Sequence, residues 1–275
     1  METEQARARL AALVARGEEL DLLEGALLIA STGRTLDLAR ARADFEALAE
    51  EARARLAGVT GEVERLEALL AFVYGERGFR GDAEGYDHPR NSHLDQVLAR
   101  RAGIPITLAV LLIELGRRLG VPLAGVGFPG HFLVRFQGRP MRLLDPFHGG
   151  RALSEQECRE RFRQVTGGKV RFHPRYLEPA PRLEVLARML RNLKGAHLRR
   201  GERAQAREAI TRLLLVDPGA HEELRDRGRL HMEQGAWVEA RADLGEYLRR
   251  VPQAPDRAAV QGWLDACQAQ LWSLN

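Results

Sequence analysis

Two stretches of the 275-residue chain carry residue types and spacings that could do chemistry. His131 opens a short apolar run, His131-Phe132-Leu133-Val134-Arg135-Phe136, and Asp145 closes the next, Met141 to Asp145. Upstream, Gly103-Ile104-Pro105-Ile106-Thr107-Leu108-Ala109 opens an apolar helical segment. A cysteine at such a helix start would have a lowered pKa, because the helix dipole favours the thiolate. A histidine on a neighbouring strand could take its proton, and a carboxylate could orient that histidine. That is the layout of a Cys–His–Asp hydrolase or acyl transferase. The two cysteines lie elsewhere, however. Cys158 sits in the charged helical stretch Ser154 to Arg159 and reads as an ordinary half-buried thiol, and Cys267 reads as packing in the last helix. Thr107, two positions beyond Pro105, faces a different side of its helix.

His131 and Asp145 admit two readings, a buried pair that holds two strands together or a polar contact inside a ligand groove. Asp145 precedes Pro146 and also reads as a turn residue. His148, before Gly149-Gly150, either lines the same groove or belongs to a surface loop. No metal site or cofactor is expected: His88 and His93 are five apart with Asp82, Asp87 and Asp95 nearby, but there is no helical His pair at metal spacing and no Cys pair. Gly125-Val126-Gly127 lacks the third glycine of a phosphate loop and leads into a strand.

The elements that must position these residues follow from periodicity. Helices are predicted from residue 4 to about 76, in Leu10-Leu13-Val14, Leu20 to Leu28, Leu36 to Leu56 and Val63 to Val73. Residues 75–89, rich in Gly and charge, read as a loop. Ser92, three residues before Asp95, resembles a helix cap, and a further helix runs from about Pro105 to Leu119, with Pro at a first helical position. Residues 123–128, 131–136 and 141–145 read as three antiparallel strands separated by Pro129-Gly130 and Gln137-Gly138-Arg139-Pro140. After Pro181 the chain is helical again. Gly201, Ala206 and Pro218 recur as Gly235, Ala240 and Pro252, each 34 residues on, which is the tetratricopeptide period. Arg257 to Leu271 reads as a capping helix.

Composition excludes other classes. At 45% hydrophobic residues the chain is globular, with no apolar stretch long enough to cross a bilayer. The amino-terminal residues do not read as a signal peptide, and two cysteines fit a reducing cytosol, so a cytoplasmic location is expected. Net charge is only +4, and Lys169 and Lys194 are the only lysines. Residues 151–203 hold 14 Lys or Arg against 6 Glu. The simple reading is a solvated basic face, so nucleic acid is not the expected partner.

With these phrases in hand, the sequence resembles the SirB family, transglutaminase-like proteins with tetratricopeptide repeats at the carboxyl end. Asn91-Ser92-His93-Leu94, Arg101 to Ile106, Val126 to Phe132 and Leu144 to Phe147 carry the likeness, which spans residues 20–260. The resemblance implies an α+β fold: a helical N-terminal region plus a papain-like transglutaminase core (residues 1–179), followed by an all-α repeat region (residues 180–275). Such domains carry Gly-x-Cys with Ala four residues later. Here Gly103 and Ala109 match, and Pro105 stands at the cysteine position, while His131 and Asp145 fill the other two places of a degenerate triad. The groove candidates are Asn91, Ser92, His93, Gly103, Pro105, Phe128, His131, Asp145 and His148. The resulting expectation is a pseudoenzyme that binds a peptide or protein partner, with oligomeric state left open. The alternatives are a hydrolase or acyl transferase with an unrecognised nucleophile, served by His131 and Asp145, and a nucleic-acid-associated regulator resting on the basic segment alone.

Overall fold

The computed structural model describes residues 2–273. Four helices come first: α1 (Thr3–Val14), α2 (Leu22–Ala30), α3 (Leu38–Arg55) and α4 (Glu62–Leu70), the last widening into a π-turn over Ala71–Glu76. Asp21 and Asp37 cap α2 and α3, each accepting from the backbone N–H three residues on. A minimal parallel pair, β1 (Arg80–Gly81) and β2 (Ala102–Gly103), brackets α5 (Leu94–Arg100). It then hands the chain to α6 (Pro105–Leu119). The strand pair and the π-turn had no signal in the sequence, because two-residue strands carry no period.

Helix α6 is the centre of the domain. Every residue from Pro105 to Gly116 is buried, as an apolar-all-round helix requires. Its one carboxylate, Glu114, is 1% exposed and bound by Arg118 at 2.8 Å. Against it lies an antiparallel meander, β3 (Leu123–Val126), β4 (Leu133–Phe136), β5 (Arg142–Asp145) and β6 (Arg151–Leu153), paired in chain order. The pleat divides the side chains. Val134, Phe136 and Leu144 join the main core with α6, whereas Val126, Leu133 and Leu143 join a second core with Cys158 and Phe162 of α7 (Glu155–Thr166). Three strands were expected and are present with trimmed ends. The fourth, β6, is short and half polar, which hid it.

The remaining helices are α8 (Arg182–Arg199), α9 (Arg203–Val216), α10 (His221–Glu233), α11 (Trp237–Arg250) and α12 (Arg257–Ser273). The 34-residue repeat maps onto the pairs α8/α9 and α10/α11, with α12 last. Two glycines mark close helix contacts: a Cβ at Gly25 would meet Leu186 at 2.7 Å, and one at Gly228 would meet Leu244 at 2.8 Å. The first joins the amino-terminal helices to α8, so the repeats pack on the preceding domain. Arg212, fully buried, strengthens that joint by donating to Glu208 at 2.7 Å, to the Leu28 carbonyl at 2.6 Å and to Ser31 Oγ at 2.9 Å.

One local expectation fails. Ser92 does not cap α5; His93 occupies that position without a side-chain cap bond. Asp95 is held instead by Arg34 through two bonds of 2.9 Å, a charge-assisted fork stronger than a neutral cap.

Candidate functional site

His131 is aimed by a tight turn, Phe128-Pro129-Gly130-His131, closed by the His131 N–H on the Phe128 carbonyl at 3.1 Å. Proline second and glycine third, at φ +68°, are the residues such a turn requires. The histidine therefore precedes β4 rather than opening it. Arg188 of α8 clamps the turn by donating to the carbonyls of Phe128 (2.7 Å) and His131 (2.6 Å). Asp145 ends β5 and caps the short 3-10 turn Pro146–His148, accepting from the N–H of Phe147 at 3.1 Å and of His148 at 3.3 Å. It is thus a turn residue and a partner of His131 at once.

The meander brings the two together: His131 Nε2 lies 2.9 Å from Asp145 Oδ1. His148 Nδ1 reaches Oδ2 at 2.8 Å, and Arg161 Nη1, from α7, donates to the same oxygen at 2.7 Å. Asp145 is fully buried; His131 is 14% and His148 52% exposed in their side chains. Burial alone would push the carboxyl pKa up, but the donors from His131, His148 and Arg161 outweigh it and hold Asp145 far below the usual carboxylate range. An ionised Asp145 makes His131 Nε2 the donor, which leaves Nδ1 free to act as a base or to accept a ligand hydrogen bond.

Pro105, Thr107 and Cys158, the residues weighed at or for the nucleophile position, are all buried. Pro105 is buried at the first position of α6. The Thr107 hydroxyl, fully buried, donates to the Asn91 carbonyl at 2.6 Å. Cys158 is fully buried under the sheet, and burial pushes its thiol up to about 11, the reverse of an activated cysteine.

The other candidates are placed as follows. Asn91 is buried, donating to Gly85 O at 2.6 Å and accepting from Arg100 at 2.8 Å, so it latches the 82–91 loop to α5. Phe128 is buried edge-on against Phe162. A Cβ at Gly103 would meet Val97 at 3.0 Å. His93 is buried, its pKa pushed down to about 3 chiefly by burial, and its Nε2 has no partner. Ser92 lines a small pocket facing α8. Sequence reading missed Arg161 and Arg188, which sit among many arginines with nothing to single them out. It also missed Tyr74, whose buried hydroxyl lacks a partner and whose pKa is driven up by burial and then by the charge of Asp145.

His131, Asp145 and His148 present three possible metal-ligand atoms within 4.8 Å of one another. In this arrangement both imidazoles and Arg161 already occupy the carboxylate, so a metal ion would have to displace protons and compete with a guanidinium. His88 Nδ1 accepts from the Arg90 N–H at 3.2 Å.

Residues 39–191 match the transglutaminase-like superfamily. The chain belongs to that family. Residues 193–264 match the tetratricopeptide repeat. A UPF0162 protein of Xylella fastidiosa (strain 9a5c) is 41% identical over 204 residues, 73% of each chain. Protein SirB1 of Salmonella typhimurium is 28% identical over 214 residues, covering 77% of this chain and 79% of its own. The likeness to the SirB family read from the motifs therefore holds. Among solved structures, menin, described with its binding site for Mixed Lineage Leukemia protein, is similar at a TM-score of 0.48 and 12% identity, over 96% of this chain and 69% of its own. No helix among the described residues is long and apolar enough to cross a membrane.

The basic excess of residues 151–203 is largely met by carboxylates from outside the segment. Arg161 pairs with Asp145, Arg191 with Asp217, Lys194 with Glu223 and Asp226, Arg199 with Asp87, and Arg203 with Glu233.

Proposed function

We propose that this chain is a non-catalytic transglutaminase-like protein that binds a peptide or protein partner. What supports the reading is the match that puts Pro105 where such domains carry the nucleophilic cysteine, together with the His131–Asp145 pair at 2.9 Å. Of the substitutes weighed for it, Thr107 is buried with its hydroxyl bonded to the Asn91 carbonyl, and Cys158 is buried with its thiol pushed up by burial. Tetratricopeptide repeats generally mediate protein–protein interaction, and two repeat units packed on the core extend the surface a partner could use.

The test is turnover. Purified chain incubated with a glutamine-bearing protein and a fluorescent primary amine, or with amide substrates, is expected to give no product above a heat-denatured control. Thiol-dependent turnover that disappears in His131→Ala overturns the proposal. A second reading, acyl transfer or hydrolysis by an unrecognised nucleophile, draws on the free Nδ1 of His131. It requires a thiol- or hydroxyl-directed probe to label a residue beside that nitrogen.

A further inference from the structure

Most of the basic charge of residues 151–203 is already engaged. Besides the pairs made outside the segment, Arg151, Arg159 and Arg200 meet Glu157, Glu155 and Glu202 within it. Arg182 and Arg188 donate to the carbonyls of Leu20, Phe128 and His131. The basic residues left over, Arg163, Lys169, Arg171 and Arg175, are all exposed and have no carboxylate partner among the described residues. They also follow one another in the chain, and no acidic residue occurs between Arg163 and Leu177. A charge run is ordinarily a solvated face, but this one differs in two respects. In a stretch whose other basic groups are all anchored, like charges left together repel one another, a cost that an anionic partner relieves. The run also carries exposed apolar side chains, Val165 at 55% and Val170 at 49%, where a merely solvated face would carry polar ones.

Arg163, Val170 and Arg171 line a pocket of about 310 Å³ together with Phe162 and Phe172. Its apolar side is aromatic: Phe162 is 2% exposed and packs on Phe172 at 5.4 Å and on Tyr176 at 4.8 Å. Two guanidinium groups without carboxylates therefore share a pocket with an apolar seat, with Lys169 between them in the sequence and Arg175 just beyond. The patch reaches the turn that aims His131, where a Cβ at Gly130 would meet Val165 at 2.8 Å. Nucleic acid suits this surface less well. Bases need free aromatic faces on which to stack, whereas Phe172 carries Arg159 over its ring at 4.6 Å and Tyr176 carries Arg175 at 5.4 Å. Exposed valines offer a phosphate backbone nothing. We infer that this face docks an acidic segment of a protein partner, with an apolar side chain seated in the pocket and flanking carboxylates held by Arg163 and Arg171. The inference rests on the reading that the chain binds a peptide or protein partner.

The experiment is a fluorescence-anisotropy titration of the full chain into fluorescein-labelled Gly-Asp-Glu-Leu-Asp-Glu-Gly-amide. Two further peptides are titrated beside it, one with Asn and Gln for the acids and one with Ala for the Leu. Saturable binding of the acidic Leu peptide is expected, weakening as salt rises. The Asn/Gln peptide should bind at least about tenfold more weakly, and the Ala peptide about fivefold. Arg163→Gln combined with Arg171→Gln should weaken the acidic Leu peptide about tenfold. Both positions are exposed, so the urea midpoint should not move. Arg101→Gln combined with Arg241→Gln removes the same charge from exposed positions after α5 and on α11, and should change affinity by less than about twofold. Absence of saturable binding overturns the inference, as does equal binding of the acidic Leu peptide and either counterpart. Equal losses in the two double variants overturn it too, by showing attraction to net charge alone. Tighter binding of an oligouridylate of the same length assigns the face to nucleic acid and also overturns it. Any of these results leaves the non-catalytic reading standing, because that reading does not specify an acidic partner. Turnover in the preceding assay strikes the non-catalytic reading and changes none of these binding outcomes.

Discussion

Replacing Asp145 by Asn tests the centre of the site while keeping its shape. The Asn oxygen can still accept from the N–H groups of Phe147 and His148 and from His131, so the turn and the imidazole retain their acceptor. The amide nitrogen, however, must occupy the place of Oδ2, where His148 Nδ1 at 2.8 Å and Arg161 Nη1 at 2.7 Å both donate. Two charge-assisted bonds become donor against donor. Each such bond contributes about 1.5–3 kcal/mol, and breaking a buried pair by removing one partner costs about 3–5 kcal/mol. Arg161 and His148 are 28% and 52% exposed and can turn toward water, which reduces the loss. The expected destabilisation is about 3 kcal/mol at pH 7 by equilibrium urea unfolding. The pH dependence supplies a second check. The folded carboxyl lies below its unfolded value, so its contribution is full above the ordinary value of about 4 and is lost as pH falls toward the folded one. The gap between wild type and Asp145→Asn should therefore narrow below pH 4. A loss under about 1 kcal/mol at pH 7, or a gap unchanged between pH 6 and 3, refutes a carboxylate clamped by these donors.

Two further expectations concern the rest of the chain. Cys158 and Cys267 are both buried, with thiol pKa values raised mainly by burial, so neither should react with a chromogenic disulfide at pH 7 until denaturant is added; a fast native-state thiol would contradict the placement of Cys158. Arg212→Ala leaves Glu208 its Arg7 partner and the Leu28 carbonyl its Ser31 donors, but removes the fully buried guanidinium that ties them together in the joint between α2 and α9 and should cost about 2–3 kcal/mol in urea unfolding. Arg7→Ala removes the 41%-exposed outer partner of the same Glu208 and should cost under about 1 kcal/mol, so equal losses would show that burial is not what matters there.

Much of this protein was determined by the sequence alone. The 34-residue recurrence specified the repeats, because each unit needs small residues at the same helix contacts, and the largely apolar Pro105–Leu119 segment, with Pro at its start and Gly120 after it, specified a helix. Pro129-Gly130 specified the turn that carries His131. What the sequence could not decide lies in contacts between distant segments. Nothing local distinguishes Arg161 or Arg188 among so many arginines; only the placement of α7 and α8 against the meander puts one guanidinium on Asp145 and the other on the His131 turn. Ser92 looked like a helix cap because the i, i+3 pattern is local, whereas Arg34, 61 residues from Asp95, drew that carboxylate away. Periodicity and turn chemistry are short-range and legible in one dimension; the pairing of buried charges between distant segments is a property of the folded chain.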